Sequence, residues 1–77
     1  MSLSKEKVCK RLGKKLRNLR IEKGYTLEGL ANEANLDYSQ LSRIELGKIN
    51  TSVYQIYKIS VYLNIPMNEF FNEIHHL

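Results

Sequence analysis

The 77-residue chain has no tryptophan, a single cysteine, a single proline and only four glycines. With one cysteine, Cys9, no disulfide can close within the chain, and there is no spaced cysteine pair to hold a zinc ion. A reducing, cytoplasmic setting is therefore the expectation. No apolar run approaches the roughly 20 residues that a membrane-spanning helix needs. The opening MSLSKEKVCKRLGKK has no apolar region of the signal-peptide kind. So little proline and glycine leaves scant room for a linker, and one domain over residues 1–77 is expected. A phosphate-cradling glycine loop is missing, and Asp37, Glu45, His75 and His76 show no acid–base or nucleophile spacing. An enzyme is not expected, nor a cofactor. With no other His in the chain and no spaced cysteines, His75-His76 is not expected to be a metal site either.

What is present is helical spacing and an uneven charge. The net charge is +4, but residues 1–25 hold nine of the twelve Lys and Arg against two acids, a balance of +7. Residues 26–77 hold three basic and six acidic residues, a balance of −3. A basic end attracts nucleic acid, anionic lipid or an acidic protein, and charge alone does not choose among them.

Val8, Leu12, Leu16 and Leu19 recur at helical spacing, predicting an amphipathic helix over about 5–23 that Gly24 ends. Its outer stripe of Lys7, Lys10, Lys14 and Arg17 reads as a solvated face with some long-range steering towards polyanions. Cys9 flanks the inner stripe and is expected to be a small buried apolar residue. Thr26 caps a second helix with Leu30, Ala31 and Ala34 inside. Gly29 within it marks either a weak point or a close approach. Asn35-Leu36-Asp37 forms a turn, Asp37 caps a third helix over about 38–46, and Gly47 stops it. Ser52-Val53-Tyr54-Gln55 fits a capping box opening a fourth helix, whose inner stripe is Val53, Ile56, Ile59, Ser60 and Leu63. Pro66 suits the start of a fifth helix carrying Phe70 and Ile74. The fold class expected is all-α, with five short helices.

Residues 26–46 have the spacing of a helix-turn-helix, whose second helix enters the DNA major groove. On that helix Leu41 and Ile44 point inward while Ser39, Ser42 and Arg43 lie roughly opposite. A groove about 12 Å wide admits a helix whose leading face is not crowded by bulky side chains. Arg43 adds a forked donor suited to guanine O6 and N7 or to a phosphate. Tyr38 offers a hydroxyl or a ring.

From Gly13 to Phe71 the sequence resembles the Cro/cI-repressor-like, or XRE-type, helix-turn-helix family, through LRNLRIEKGYTLEGLA, LSRIELGK and YLNIPMNEFF. NLDYSQLSRIE looks like the recognition segment of restriction–modification controller proteins, and EKGYTLEGLANEA is similar to bacterial developmental repressors. The resemblance implies a lambda-repressor-like five-helix domain that binds double-stranded DNA, a palindromic operator, as a homodimer. It implies base contacts from Tyr38, Ser39, Ser42 and Arg43 and phosphate contacts from Thr26, Leu27, Lys48 and Asn50. It also implies a buried ion pair between Arg20 and Glu45. The family commonly has Gln at the position of Leu27. Tyr54, Tyr57 and Val61 form a second apolar flank on the fourth helix which, with Phe71 and Leu77, is expected to be a dimer seam. The function expected is a transcriptional regulator, a repressor or autoregulator. The rival roles are a module that binds a protein partner, of antitoxin or anti-repressor type, and a basic helix on an anionic membrane.

Overall fold

The computed structural model describes residues 4–72 and 74. It has five helices: α1 (Lys5–Glu22), α2 (Leu27–Glu33), α3 (Tyr38–Glu45), α4 (Val53–Leu63) and α5 (Asn68–Phe71). Short polar residues in extended conformation start the first four. Thr26, Asp37 and Ser52 accept from the backbone N–H of Gly29, Ser39 and Gln55 at 2.9, 3.0 and 3.1 Å, and Ser4 accepts more loosely from Lys7 at 3.4 Å. Each such cap satisfies an otherwise orphaned donor and contributes typically about 1 kcal/mol.

The same four helices also end alike. A residue with positive φ follows the last turn, and the next N–H returns to a carbonyl one turn back: Tyr25 to Arg20, Leu36 to Ala31, Lys48 to Arg43 and Ile65 to Ser60. This closure needs the left-handed region, occupied by Gly24, Asn35, Gly47 and Asn64, the residue types that adopt it most cheaply. Sharp stops at both ends keep the connections short, so each helix must fold straight back onto the others.

The faces so apposed close one core. Leu16, Leu30, Leu41, Ile56, Ile59, Leu63 and Phe70 are fully buried, with Ala31, Ala34, Ile44 and Ile65 beside them. Helix α1 packs on α3 and α5, and α2 packs on α3 and α4. The α1–α3 approach is closest at Gly13. A Cβ there would overlap the Ile44 carbonyl oxygen and lie 2.6 Å from that of Glu45. Gly47 meets the backbone of Lys10 in the same way. Hydrogen atoms at these two positions let the backbone of α1 lie directly on the end of α3.

Four expectations are corrected. Val53 is not part of the inner stripe of α4 but 73% exposed. As the first residue of the helix it sits on the rim of an apolar groove lined by Val8, Leu12, Ile49 and Ile56. The capping box is half made: Ser52 caps Gln55, but the Gln55 side chain turns away to Thr51 and Gln40. Helix α5 begins at Asn68, not Pro66, and ends at Phe71, short of Ile74. The tight turn before it, with Glu69 N–H donating to Pro66 and Phe70 N–H to Met67, takes up the intervening residues. Cys9 is half-buried, because it lies on the wall of the same groove and not in the closed core. The close neighbour of Gly29 is its own cap: a Cβ would stand 3.0 Å from the Thr26 hydroxyl.

Candidate nucleic-acid interface

Helix α3 is held from behind and open in front. Leu41 and Ile44 sink into the core, and Glu45, at the last turn, is buried as well. Its carboxylate takes two hydrogen bonds from Arg20, from Nε at 2.7 Å and from the second terminal nitrogen at 3.1 Å. The remaining terminal nitrogen of Arg20 donates to the Tyr25 carbonyl at 2.8 Å. Three fixed contacts on one planar guanidinium join α1, the approach to α2, and the end of α3. Nearby, the Tyr25 hydroxyl donates to Glu33 at 3.0 Å. That hydrogen bond, and then the charge of the same carboxylate, raises the phenol above its ordinary pKa.

The front face carries the residues singled out from sequence. Tyr38, Ser39 and Arg43 are exposed and Ser42 is half-buried. No side chain among the described residues bonds to Arg43 or to the Tyr38 hydroxyl. Ser39 is partly engaged, its hydroxyl donating to the Asp37 carboxylate at 3.1 Å, which leaves its oxygen lone pairs outward. Flanking this face, Thr26, Lys48 and Asn50 are exposed, while Leu27 is half-buried against the core. That packing explains an apolar side chain at Leu27 and leaves only its backbone for a ligand. The face therefore offers hydroxyls, one guanidinium and one ammonium, and the Oδ1 of the nearby Asp37 is already bonded to its own helix.

Two features were not legible as site features. Gly13 sets how closely α1 approaches α3, and its signal was a glycine inside an otherwise strong helix, where it costs about 1 kcal/mol relative to Ala. The second is a side-chain chain from α4 to α3. The Thr51 hydroxyl donates to Gln55 Oε1 at 2.9 Å, and Gln55 Nε2 donates to Gln40 Oε1 at 3.2 Å. Nothing in the local pattern links two glutamines fifteen positions apart.

Elsewhere, Lys7, Lys10, Lys14 and Arg17 are exposed, and Lys10 pairs with Glu6 at 3.3 Å. Tyr54, Tyr57 and Val61 stand 68, 52 and 53% exposed on one side of α4, and Phe71 is exposed too. Lys58 borders this flank, its ammonium 5.7 Å from the Tyr54 ring centroid and donating to the Asn35 carbonyl. Leu77, His75 and His76 lie outside the described residues. Among the described residues no three His, Cys, Asp or Glu side chains are grouped to hold a metal ion. No described helix is long and apolar enough to cross a membrane.

Comparison with known proteins agrees with this geometry. The helix-turn-helix family model HTH_3 matches residues 16–70. The control protein C.MunI of a Mycoplasma species is 42% identical over 65 residues, covering 83% of this chain and 88% of that one. The HTH-type transcriptional regulator SinR of Bacillus licheniformis is 35% identical over 63 residues, covering 80% of this chain but 57% of SinR. The crystal structure of the restriction–modification controller protein C.AhdI from Aeromonas hydrophila superimposes with a TM-score of 0.79 at 36% identity, over 82% of this chain and 96% of that one. The five-helix order, the inward-braced α3 and these matches lead to one assignment: the chain belongs to the XRE-type (HTH_3) helix-turn-helix family of DNA-binding transcription regulators, and not to a family of enzymes.

Proposed function

We propose that the protein is a sequence-specific repressor or autoregulator that binds a palindromic operator in the cytoplasm as a homodimer. The observation that carries this reading is the outer face of α3. Tyr38, Ser39 and Arg43 are left exposed while Leu41, Ile44 and Glu45 fix the helix from behind. Small hydroxyls let the helix approach base edges, Arg43 offers paired donors to guanine, and Ser42 and Tyr38 border the contact. Thr26, the backbone of Leu27, Lys48 and Asn50 flank it as phosphate contacts, which set register rather than sequence. The apolar flank of Tyr54, Tyr57, Val61 and Phe71 supports pairing of two copies. A symmetric dimer places two recognition helices about 34 Å apart, one turn of duplex, and so reads an inverted repeat.

The test is selection of bound duplexes from a random pool, with light scattering on the free protein and on the complex. The expected result is an enriched inverted repeat bound by two chains. A pool that stays random, or one chain per duplex, overturns the reading.

A further inference from the structure

Gln40 lies one turn before Ile44 on α3, exposed, next to the face that carries Ser39 and Arg43. Its carbonyl oxygen is already occupied by Gln55 Nε2 at 3.2 Å, and Gln55 is itself held by the Thr51 hydroxyl at 2.9 Å. A primary amide presents an acceptor at one end and two donors at the other, and a free one rotates to suit either need. Here the hydrogen bond from Gln55 Nε2 favours one orientation. The hydroxyl of Thr51 donates to Gln55, Gln55 donates to the Gln40 carbonyl, and the NH2 group of the exposed Gln40 is left with no partner among the described residues.

From this chain we infer that Gln40 is a specificity-determining residue whose orientation is set by Gln55 from a different helix. Its outward NH2 favours base edges that carry acceptors in the major groove, O6 and N7 of guanine or O4 of thymine, and disfavours the exocyclic amine of cytosine. Gln55 touches no base. It is a positioning residue, and its effect appears as a base preference at the pair that Gln40 meets. The inference rests on the proposed binding of duplex DNA by α3.

Reversing the polarity gives the discriminating experiment. In Gln55→Glu the side chain has no donor. It keeps the Thr51 hydroxyl as a donor but accepts from the Gln40 NH2, which turns the Gln40 carbonyl outward. A carboxylate in the first turn of α4 also suits the positive end of the helix dipole, so the variant is expected to fold. Random-pool selection is run on the full chain for wild type, Gln40→Ala and Gln55→Glu, with helix content checked by circular dichroism. Wild type is expected to prefer guanine or thymine at one position per half-site, by roughly 5- to 100-fold over cytosine. Gln40→Ala is expected to lose the preference at that position alone. Gln55→Glu is expected to move it to cytosine or adenine, whose amines donate. If wild type enriches an operator and neither variant alters any single position, the role of Gln40 is refuted while DNA binding by α3 stands. If wild type enriches nothing, both fall together.

Discussion

Substituting Gly13 with alanine sets two physical effects against each other, and the structure says which one wins. By helix propensity alone the change should stabilise α1 by about 1 kcal/mol, because glycine loses more backbone freedom than alanine on entering a helix. Against this, the new methyl group would overlap the Ile44 carbonyl oxygen and lie 2.6 and 2.8 Å from the Glu45 carbonyl oxygen and carbon. These are backbone atoms in the last turn of α3, unable to rotate aside as the end of a flexible side chain would. Relief requires moving α1 away from α3, which strains the Arg20–Glu45 contact and loosens the core to which both helices contribute. Overpacking costs typically 1–3 kcal/mol, and an obstruction made of backbone puts the cost at the upper end. The net effect is a loss of about 1–2 kcal/mol, or a fall in Tm of roughly 5–15 °C for a domain of this size. Thermal unfolding followed by circular dichroism measures it. Asn18→Ala, on the exposed face of the same helix, serves as the control and should melt at or slightly above wild type. A Gly13→Ala protein that melts at or above wild type would show that α1 and α3 do not meet this closely, and the reasoning would fail.

Three further outcomes are expected. Glu45→Ala leaves the Arg20 guanidinium buried with only the Tyr25 carbonyl as partner, at a cost of about 3–5 kcal/mol. The urea midpoint should fall sharply, and part of the loss should return when Arg20 is also replaced by methionine; an unchanged midpoint would dismiss the pair as a structural element. On a selected operator, Arg43→Ala should weaken the preferred sequence more than random duplex, whereas Lys48→Ala should weaken both alike and reduce the salt slope by about 1; equal losses from Arg43→Ala would remove it from base readout. Tyr25 should ionise later in a basic titration than an unperturbed tyrosine, and Glu33→Gln should bring it back down. Because the folded-state pKa is the raised one, the linked stability is fully present below the ordinary tyrosine range and is lost as pH rises through the folded value. Near neutrality it is therefore constant. An NMR titration in which Tyr25 ionises at the same pH in both proteins would contradict the Glu33 contact.

The parts legible in the sequence are those that local chemistry decides. Thr26, Asp37 and Ser52 mark helix starts because a short oxygen-bearing side chain satisfies N–H groups a few residues on, and Gly24 and Gly47 mark stops because the chain must turn left-handed there. Leu41 and Ile44 show the inner side of α3 by spacing, which places Ser39 and Arg43 opposite. What was not legible depends on distant partners. Val53 satisfies the periodicity of α4 but stands at its first position, exposed among the described residues. Gln55 fits a capping box, yet Thr51 and Gln40 compete successfully for its amide. The fifth helix is shorter than its pattern because a tight turn takes up its first residues. Gly13 could be seen as an anomaly, but only the crossing of α1 over α3 explains it.

The guanidinium of Arg20 grips the Glu45 carboxylate and the carbonyl just ahead of α2 together. The opening of one helix and the close of the other thus share a single bolt and cannot drift independently. For a stiff, rod-shaped partner that must be touched at both places, the gap between the two is settled before encounter, so little freedom remains to be lost at that joint on contact. The same linkage means that damage at this one buried side chain would misalign both.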